Sequence, residues 1–543
     1  MNELPDSVEV VVVGFGPVGA TIANLLGQYG VRILVVDRAT DILMMPRAIA
    51  LDNEALRILQ LAGLSADAFD TVAIPYVRMY SPYIGEFAQL NTAGALDGHP
   101  KLVTFYQPDL EAALRRRVRE YPHVTTRLGM ELVDFCDEGA GVRINLRDSY
   151  GNVATTHARY MIGADGASSA VRRQIGMEFD GHTYAEDWLI VDARNVERPI
   201  DHVEFLCNPQ RPTPHMVAPG DRVRWEFMLH PGETREEMER LERIRELLAP
   251  WGRPEDMQIE RHAVYRFHAR TVDCFQKGNV FLAGDAAHVT PPFIGQGLCA
   301  GLRDAANLCW KLAWVLQGHA GAAILDSYDV ERRPHAKAMI DLARIMGRLV
   351  MPRNVVTAIL LHSLVWLLRQ VRFGRAFLDE LKIKPRNRFR AGLFVANHVG
   401  RLESGDMFTQ AWLRRDGAEI KLSDDLFGAR FVLVGFGRHP EEFLDPQTVA
   451  TWRNAGGHCV QLCHAGQQLH RDSREAWEDF TGRIVPETAT VGSAAIVRPD
   501  RTVLHVGPVS EASRLVREAL ALIGAPATAS DRAQSKFQMR MSA

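Results

Sequence analysis

The chain has 543 residues, 47% of them hydrophobic and 24% charged, the balance of an ordinary globular protein. At roughly 100–200 residues per domain, this length predicts two to four units. Its 63 basic and 66 acidic side chains give a formal charge of -3, which argues against a chain organised around nucleic-acid binding.

In chain order, the first predicted element is VEVVVV at 8–13, a continuous β-branched run of the kind that a parallel strand buried on both faces requires. Gly14-Phe-Gly16-Pro17-Val-Gly19 follows at once, then ATIANLLGQYG, a helix ended by Gly30, and then VRILVVD, a second strand closed by Asp37. The spacing has a physical logic. Gly14 permits a tight turn, Gly16 lets backbone amides approach a pyrophosphate, and Gly19 lets the helix pack close to the strand. The helix start, with Pro17 at its first turn, favours an anion. Asp37, followed by the cofactor-binding candidate Arg38, lies where a carboxylate accepts from ribose hydroxyls, and an acid rather than an arginine at position 37 disfavours a 2′-phosphate. FAD or NAD therefore fits better than NADP.

LDNEALRILQL at 51–61 is a helix whose Asp52 reads either as an N-cap or as a proton acceptor. LRRRVRE at 114–120 reads as a solvated helix face. RYMIGADGASSAVRR at 159–173 repeats the strand, glycine turn and helix start, with Asp165 at the strand end. GNVFLAGDAAHVTPPFIGQG does so again, with Gly284 and Asp285 at the strand end and then Pro292, Gly295 and Gly297 before a helix. WEFML and RHAVYRF have alternating strand character. VVTAILLHSLVWLL at 355–368 is too short for a membrane span and reads as a buried or interfacial helix. VLVGFG at 432–437 lacks a third glycine and reads as an ordinary strand and turn. The seven cysteines form no CxxC and no zinc-spaced cluster, so no metal is expected and a reduced, cytoplasmic setting fits. The first ten residues lack a signal-peptide pattern.

Taken together, GFGPVG, GADGASSAVR and GDAAHVTPPFIGQGLCAGLRDAANLCWKL resemble the FAD-dependent aromatic hydroxylases of the p-hydroxybenzoate and phenol hydroxylase type. PRAIALDNEALR, RWEFMLHPGE, VYRFHAR, YDVERRPHAKAMIDLA and VRPDR bring the chain closer still to the 3-(3-hydroxyphenyl)propionate/3-hydroxycinnamate hydroxylases. The resemblance covers essentially the whole chain. It implies an α/β fold with a Rossmann-like FAD-binding domain at 1–345, built from segments 1–75, 102–180 and 278–345. A mixed-sheet substrate domain, 76–101 and 181–277, is interleaved with it. A helical connector at 346–395 and a thioredoxin-like α/β domain at 396–543 follow.

By the same resemblance, Gly14, Gly16 and Gly19 hold the FAD pyrophosphate and Asp37 the adenosine ribose. Arg47 lies near the phosphates, Gln107 beside the ribityl chain, and Asp285 on its hydroxyls. The Gly295–Gly297 turn addresses the pyrimidine edge of the flavin, and Asp165 with Gly166 lies near the pyrophosphate. A helix start aimed at the pyrimidine edge would stabilise the anion of a reduced flavin. The implied reaction uses NADH or NADPH and O2, through a flavin C4a-hydroperoxide, to hydroxylate a phenol ortho or para to its hydroxyl. The implied substrate is 3-(3-hydroxyphenyl)propionate or 3-hydroxycinnamate, hydroxylated ortho to give the 2,3-dihydroxy product. Another phenol or a resorcinol-like ring is the alternative. Asp52 and Tyr265 are the catalytic candidates. Tyr265 reads equally as a half-buried strand tyrosine, and His268 and His288 as structural. Arg211, His215, Arg224 and Arg266 are all possible anchors for a carboxylate tail. A halogenase of this fold would carry a WxWxIP stretch, whereas Trp310 and Trp314 are only a helical i, i+4 pair. A small phenol is the expected partner, with no nucleic acid and no membrane, and a homo-oligomer is an open reading.

Overall fold

A computed structural model of the chain describes residues 4–371, 385–415, 419–467 and 476–525. In the opening strand, Ser7–Val13, Val10, Val11 and Val12 are fully buried, as expected where both faces of a sheet are covered. The parallel strands around it run in the order Val124–Leu128, Ile33–Asp37, Ser7–Val13, Val153–Gly163, Val280–Leu282. An antiparallel pair, Glu131–Asp137 and Val142–Arg147, extends the sheet beside the first half of Val153–Gly163. Helix Pro17–Gln28 packs against both Gln107–Val118 and Gly297–Leu316. The starts of the first and last of these helices are thereby brought to the same edge of the sheet.

The second sheet has the strand order His288–Val289, Gln258–Thr271, Asp180–Arg194, Arg222–Met228, Thr213–Ala218, Val203–Leu206, Tyr76–Ser81, Gly85–Asn91. Its strands alternate two burial environments, following the two-residue period of a pleated strand. Val223, Trp225 and Phe227 enter one core with Met238, Ile244 and Leu248. Trp188, Phe267, Met228 and Tyr265 belong to another, which also contains Phe293. His288–Val289 belongs by sequence to the expected FAD segment, yet it pairs with Arg270 and Thr271. That short ladder ties the turn after Asp285 to the second sheet.

The C-terminal sheet runs Glu419–Leu422, Trp412–Arg415, Ala476–Asp479, Gly457–His464, Phe431–Phe436, Ser493–Val497, Val503–Pro508. Phe431–Phe436 is parallel to Gly457–His464 across helix Pro446–Asn454, and antiparallel to Ser493–Val497. Helix Ala512–Leu522 follows the last strand, which completes a thioredoxin-like unit. The VLVGFG stretch is an ordinary strand and turn. Cys459 and Cys463 share one strand, and all seven cysteines are free. The unit docks on the first through buried ion pairs: Arg57 to Asp424 at 2.6 Å and Arg498 to Glu331 at 2.7 Å.

Part of the expected connector, residues 372–384, lies outside the described residues. The apolar run before it forms helix Val355–Gln370, in which only Ala358 and His362 are buried, while Val356 and Leu360 stay 67% and 68% exposed. Of the two expected settings, buried or interfacial, the buried one is corrected: the helix lays one edge on strand Gly85–Asn91 and turns most of its apolar side chains outward. No single helix among the described residues is long and apolar enough to cross a membrane.

Candidate active site

The three glycine motifs converge. Gly14 has φ 103°, and a side chain on it would overlap the Ala164 carbonyl. A side chain on Gly19 would overlap the Gly14 carbonyl oxygen. Gly16 differs from both, since a Cβ there meets nothing within 4 Å. Gly14 and Gly19 are thus required by packing, while Gly16 faces open space at the start of helix Pro17–Gln28. That helix has no side-chain cap and no acid in its first turn. Asp37 accepts from the amides of Phe15 at 2.7 Å and Ala39 at 2.8 Å, which fixes the loop beside this space. Arg115 donates to the Phe15 carbonyl at 2.9 Å and pairs with Glu111 at 2.6 Å, and both side chains are buried. The reading of 114–120 as a purely solvated face is corrected at Arg115, which braces the glycine turn.

Asp165 is engaged with its own turn. Its carboxylate accepts from the Ser169 hydroxyl and from the amides of Ala170 at 2.7 Å and Val171 at 3.2 Å. Gly166 has φ 79° and open space around it. In the third motif, Asp304, fully buried on helix Gly297–Leu316, accepts from the Gly284 amide at 3.0 Å and from Arg332 at 2.9 Å, and pairs with His288 at 2.6 Å. Burial opposes ionisation of Asp304, but His288 and Arg332 hold its carboxyl below the usual range. This hub shapes the GDAAH turn and gives His288 its structural role. Sequence reasoning missed Asp304 and Arg332, which carry no local signal.

Asp285 lies beside that hub without sharing it. Among the described residues its carboxylate has no hydrogen bond or ion pair, and burial pushes its pKa up, against the opposing charges of Arg47 and His288. Gln107 accepts from the amides of Arg47 at 2.8 Å and Ala48 at 3.0 Å, which pins the PRA segment. A Cβ on Gly295 would meet Ala50 at 3.3 Å, so the 46–54 segment also lies against the start of helix Gly297–Leu316. That helix start, too, has no side-chain cap and no acid in its first turn. A polar cradle therefore runs from Gly16 past Arg47, Gln107 and Asp285 to Gly295 and Gly297. An unpartnered carboxylate and two uncapped helix starts suit a ligand with phosphates, hydroxyls and an electron-rich edge.

The two catalytic candidates separate. Asp52, 4% exposed, caps helix Asn53–Leu61 by accepting from the Ala55 amide at 2.8 Å, and its other oxygen pairs with Arg303 at 2.6 Å. Its carboxylate is thus engaged by the cap and by Arg303, as the helix-cap reading expects. Tyr265 stands on the face of the second sheet that meets Phe293, and its hydroxyl accepts from Arg261 at 2.9 Å. Two residues along the same strand, Phe267 stacks on Trp188 with ring centroids 5.4 Å apart. His268 bonds Thr183 on the opposite face.

Each proposed tail anchor is engaged elsewhere. Arg211 donates to the Met228 carbonyl and pairs with Glu233 at 2.6 Å. His215 packs edge-on against Trp251 behind the sheet, and Arg266 pairs with Asp187 on the exposed side at 2.8 Å. Arg224 is bidentate to Asp192 at 2.6 and 2.9 Å and donates to the carbonyls of Pro46 and Arg47. Arg224 thus acts as a strut between the second sheet and the cradle.

Comparison with known proteins gives this geometry a family. The FAD binding domain family matches residues 7–343, and the HcaD C-terminal domain family matches 405–522. The chain belongs to the FAD-dependent aromatic hydroxylases. It is 34% identical, over 91% of each chain, to a 3-(3-hydroxy-phenyl)propionate/3-hydroxycinnamic acid hydroxylase of Klebsiella pneumoniae. It is 32% identical, over 96% of this chain and 98% of the other, to one of Comamonas testosteroni. Among solved structures, the flavin-dependent monooxygenase PieE with FAD and substrate shares the fold at TM-score 0.79 and 22% identity, over 96% of this chain and 100% of that one. Aklavinone-11 hydroxylase with FAD and aklavinone does so at 0.76 and 23%, over the same shares. The FAD binding domain match spans the first two sheets, and the HcaD C-terminal match covers the third.

Proposed function

We propose that the chain is a single-component monooxygenase that uses NADH and O2 to hydroxylate a substituted phenol ortho to its hydroxyl. The proposed substrates are 3-(3-hydroxyphenyl)propionate and 3-hydroxycinnamate, and the product is the 2,3-dihydroxy compound. The identity to hydroxylases of that name over nine-tenths of the chain supports the substrate. The observation that carries the reaction class is the pairing of two surfaces. A polar cradle with an unpartnered Asp285 lies on one side, and an aromatic face made of Trp188, Tyr265, Phe267 and Phe293 on the other.

In this reading, Gly16 and the start of helix Pro17–Gln28 receive the pyrophosphate of FAD, and Asp37 receives the ribose. Arg47 addresses the phosphates and Asp285 the ribityl hydroxyls, while Gln107, beside the ribityl chain, holds the Arg47 backbone. The start of helix Gly297–Leu316 faces the pyrimidine edge. Asp165 acts by closing the turn that carries Ala164. Bound there, FAD supplies electron transfer from a nicotinamide and the activation of O2. The protein positions the ring and keeps water out, and the buried aromatic face is suited to both. Arg261 orients the Tyr265 hydroxyl toward the ring. The test is NADH oxidation by purified protein with a panel of phenols. Strong stimulation by 3-(3-hydroxyphenyl)propionate, with a dihydroxylated product, supports the reading. Stimulation by another phenol alone rejects the substrate, and no stimulation by any phenol rejects the class.

A further inference from the structure

Strand Arg222–Met228 carries a carboxylate that no role above employs. Alternation sends Val223, Trp225 and Phe227 into the core behind the sheet. Arg222, Arg224, Glu226 and Met228 therefore share the opposite face. On that face Arg224 touches the carbonyls of Pro46 and Arg47, on the cradle side. Met228 packs against the cluster that contains Phe293 and Trp188. Glu226 stands between them on the strand. Directly across the sheet its neighbour is Ile190, which offers no hydrogen bond.

Glu226 is 6% exposed, and among the described residues its carboxylate makes no hydrogen bond and no ion pair. The nearby cations are committed elsewhere through most of their donors, although the buried Arg261 Nε has no acceptor among the described residues. Arg224 is committed to Asp192 and to two backbone carbonyls. Arg261 donates to Asp192 and to the Tyr265 hydroxyl. A largely buried acid without a protein partner is unfavourable unless a ligand or water completes it. The surroundings combine the charged Arg224, Arg261 and Asp192 with the apolar Ile190 and Met228, so the ligand it suits is a ring that presents a hydrogen-bond donor to the carboxylate.

We propose that Glu226 receives the phenolic hydroxyl of the substrate and accepts its proton during hydroxylation. The proposal rests on the monooxygenase reading given above. The O–H bond of the phenol breaks, its proton passes to Glu226, and its electron pair stays on the ring. The ortho carbon, made more nucleophilic, bonds one atom of O2, and the two electrons of NADH reduce the other atom to water. When that carbon loses its hydrogen as a proton, the proton held by Glu226 returns to the ring oxygen, and the catechol is complete. Burial, opposed in part by Arg224 and Arg261 and reinforced by Asp192, pushes Glu226 up to about 7. A proton acceptor in that range is matched to neutral pH. Tyr265, on the same face, is the remaining titratable neighbour.

The test pairs Glu226→Gln with two ligands, 3-(3-hydroxyphenyl)propionate and 3-phenylpropionate, which lacks the hydroxyl. Turnover of the first by the wild-type protein is the control: if it fails, the substrate reading fails, and Glu226 is then tested with whichever phenol does turn over. The expected variant keeps its FAD, forms product about 100-fold more slowly, and loses the rise of rate with pH through neutrality. It also loses most of the wild-type preference for the hydroxylated ligand, so the two deletions are non-additive. Wild-type product formation and an unchanged pH profile in the variant would overturn the proposal. If the variant does not hold FAD, the wild-type protein decides: its affinity for the hydroxylated ligand, relative to 3-phenylpropionate, must rise with pH through about 7. A ratio flat with pH would overturn the proposal.

Discussion

Replacing Gly16 and Gly19, one at a time, by alanine separates a glycine needed for a ligand from a glycine needed for the fold. Gly16 has φ −69° and ψ −174°, a conformation open to any residue, and a Cβ on it meets no protein atom within 4 Å. The stabilising loss of unfolded-state freedom, about 0.4–1 kcal/mol, is offset by the weaker N-cap preference of Ala. Gly16→Ala apoprotein should therefore melt within about a degree of wild type. The added methyl would stand in the space assigned to the pyrophosphate. Overpacking of about 1–3 kcal/mol at that contact weakens FAD binding by roughly 10- to 100-fold. In Gly19→Ala the Cβ overlaps the Gly14 carbonyl oxygen, a backbone atom that cannot swing aside. The same 1–3 kcal/mol then falls on the fold itself, and the apoprotein should melt several degrees lower. The assay is fluorescence titration of apoprotein with FAD, alongside thermal melts of the apo forms. Wild-type FAD affinity in Gly16→Ala, or equal loss of apo stability in both variants, would refute the reasoning.

Asp285→Ala should leave a folded protein that loses its yellow colour on gel filtration, since the carboxylate lacks a partner among the described residues; full retention of FAD would remove it from the cradle. Asp52→Asn keeps a capping side chain but breaks the buried pair with Arg303, which leaves Glu54 as its remaining acid. A loss of about 3 kcal/mol of stability, with the substrate KM unchanged, is expected; wild-type stability with lost turnover would return Asp52 to the chemistry. Glu226 also predicts a pH dependence of stability. Its pKa is about 7 folded against 4.5 unfolded, so between those values the folded state binds more protons and stability falls as pH rises. The loss, about 3 kcal/mol at most, is complete above about pH 8. Glu226→Gln apoprotein should therefore match wild type near pH 4.5 and exceed it at pH 8 in denaturant unfolding. Parallel curves would contradict the burial of an unpartnered carboxylate.

The parts of the site that were legible in the sequence are those set by local backbone geometry. GFGPVG announces itself because a tight turn, a close approach and a helix start each demand glycine at a fixed spacing. The GDAAH and GADG turns follow the same grammar. The alternating strands of the second sheet and the missing CxxC of the C-terminal unit were readable for similar reasons. What stayed hidden is long-range and electrostatic. Arg57 meets Asp424 across 367 positions, and Arg115 looks like any other member of an arginine run until the Phe15 carbonyl appears beside it. Asp304 is one acid in an unremarkable helix, and its hub with Gly284, His288 and Arg332 exists only after packing. Asp52 satisfied two patterns at once, and its ion pair with Arg303, distant in sequence, was visible in neither. In helix Val355–Gln370 an all-apolar surface, which normally signals burial, pointed equally to a core and to an interface, and packing denies it the core.

The central claim is that this chain inserts one atom of molecular oxygen into a phenol ring. It is tested most directly by supplying NADH and 3-(3-hydroxyphenyl)propionate to the purified protein under 18O2 and weighing the product. The account predicts a 2,3-dihydroxy product carrying a single 18O atom, formed in step with NADH consumed. A product whose new oxygen comes from water, or NADH oxidation that yields only hydrogen peroxide with every phenol offered, would contradict it.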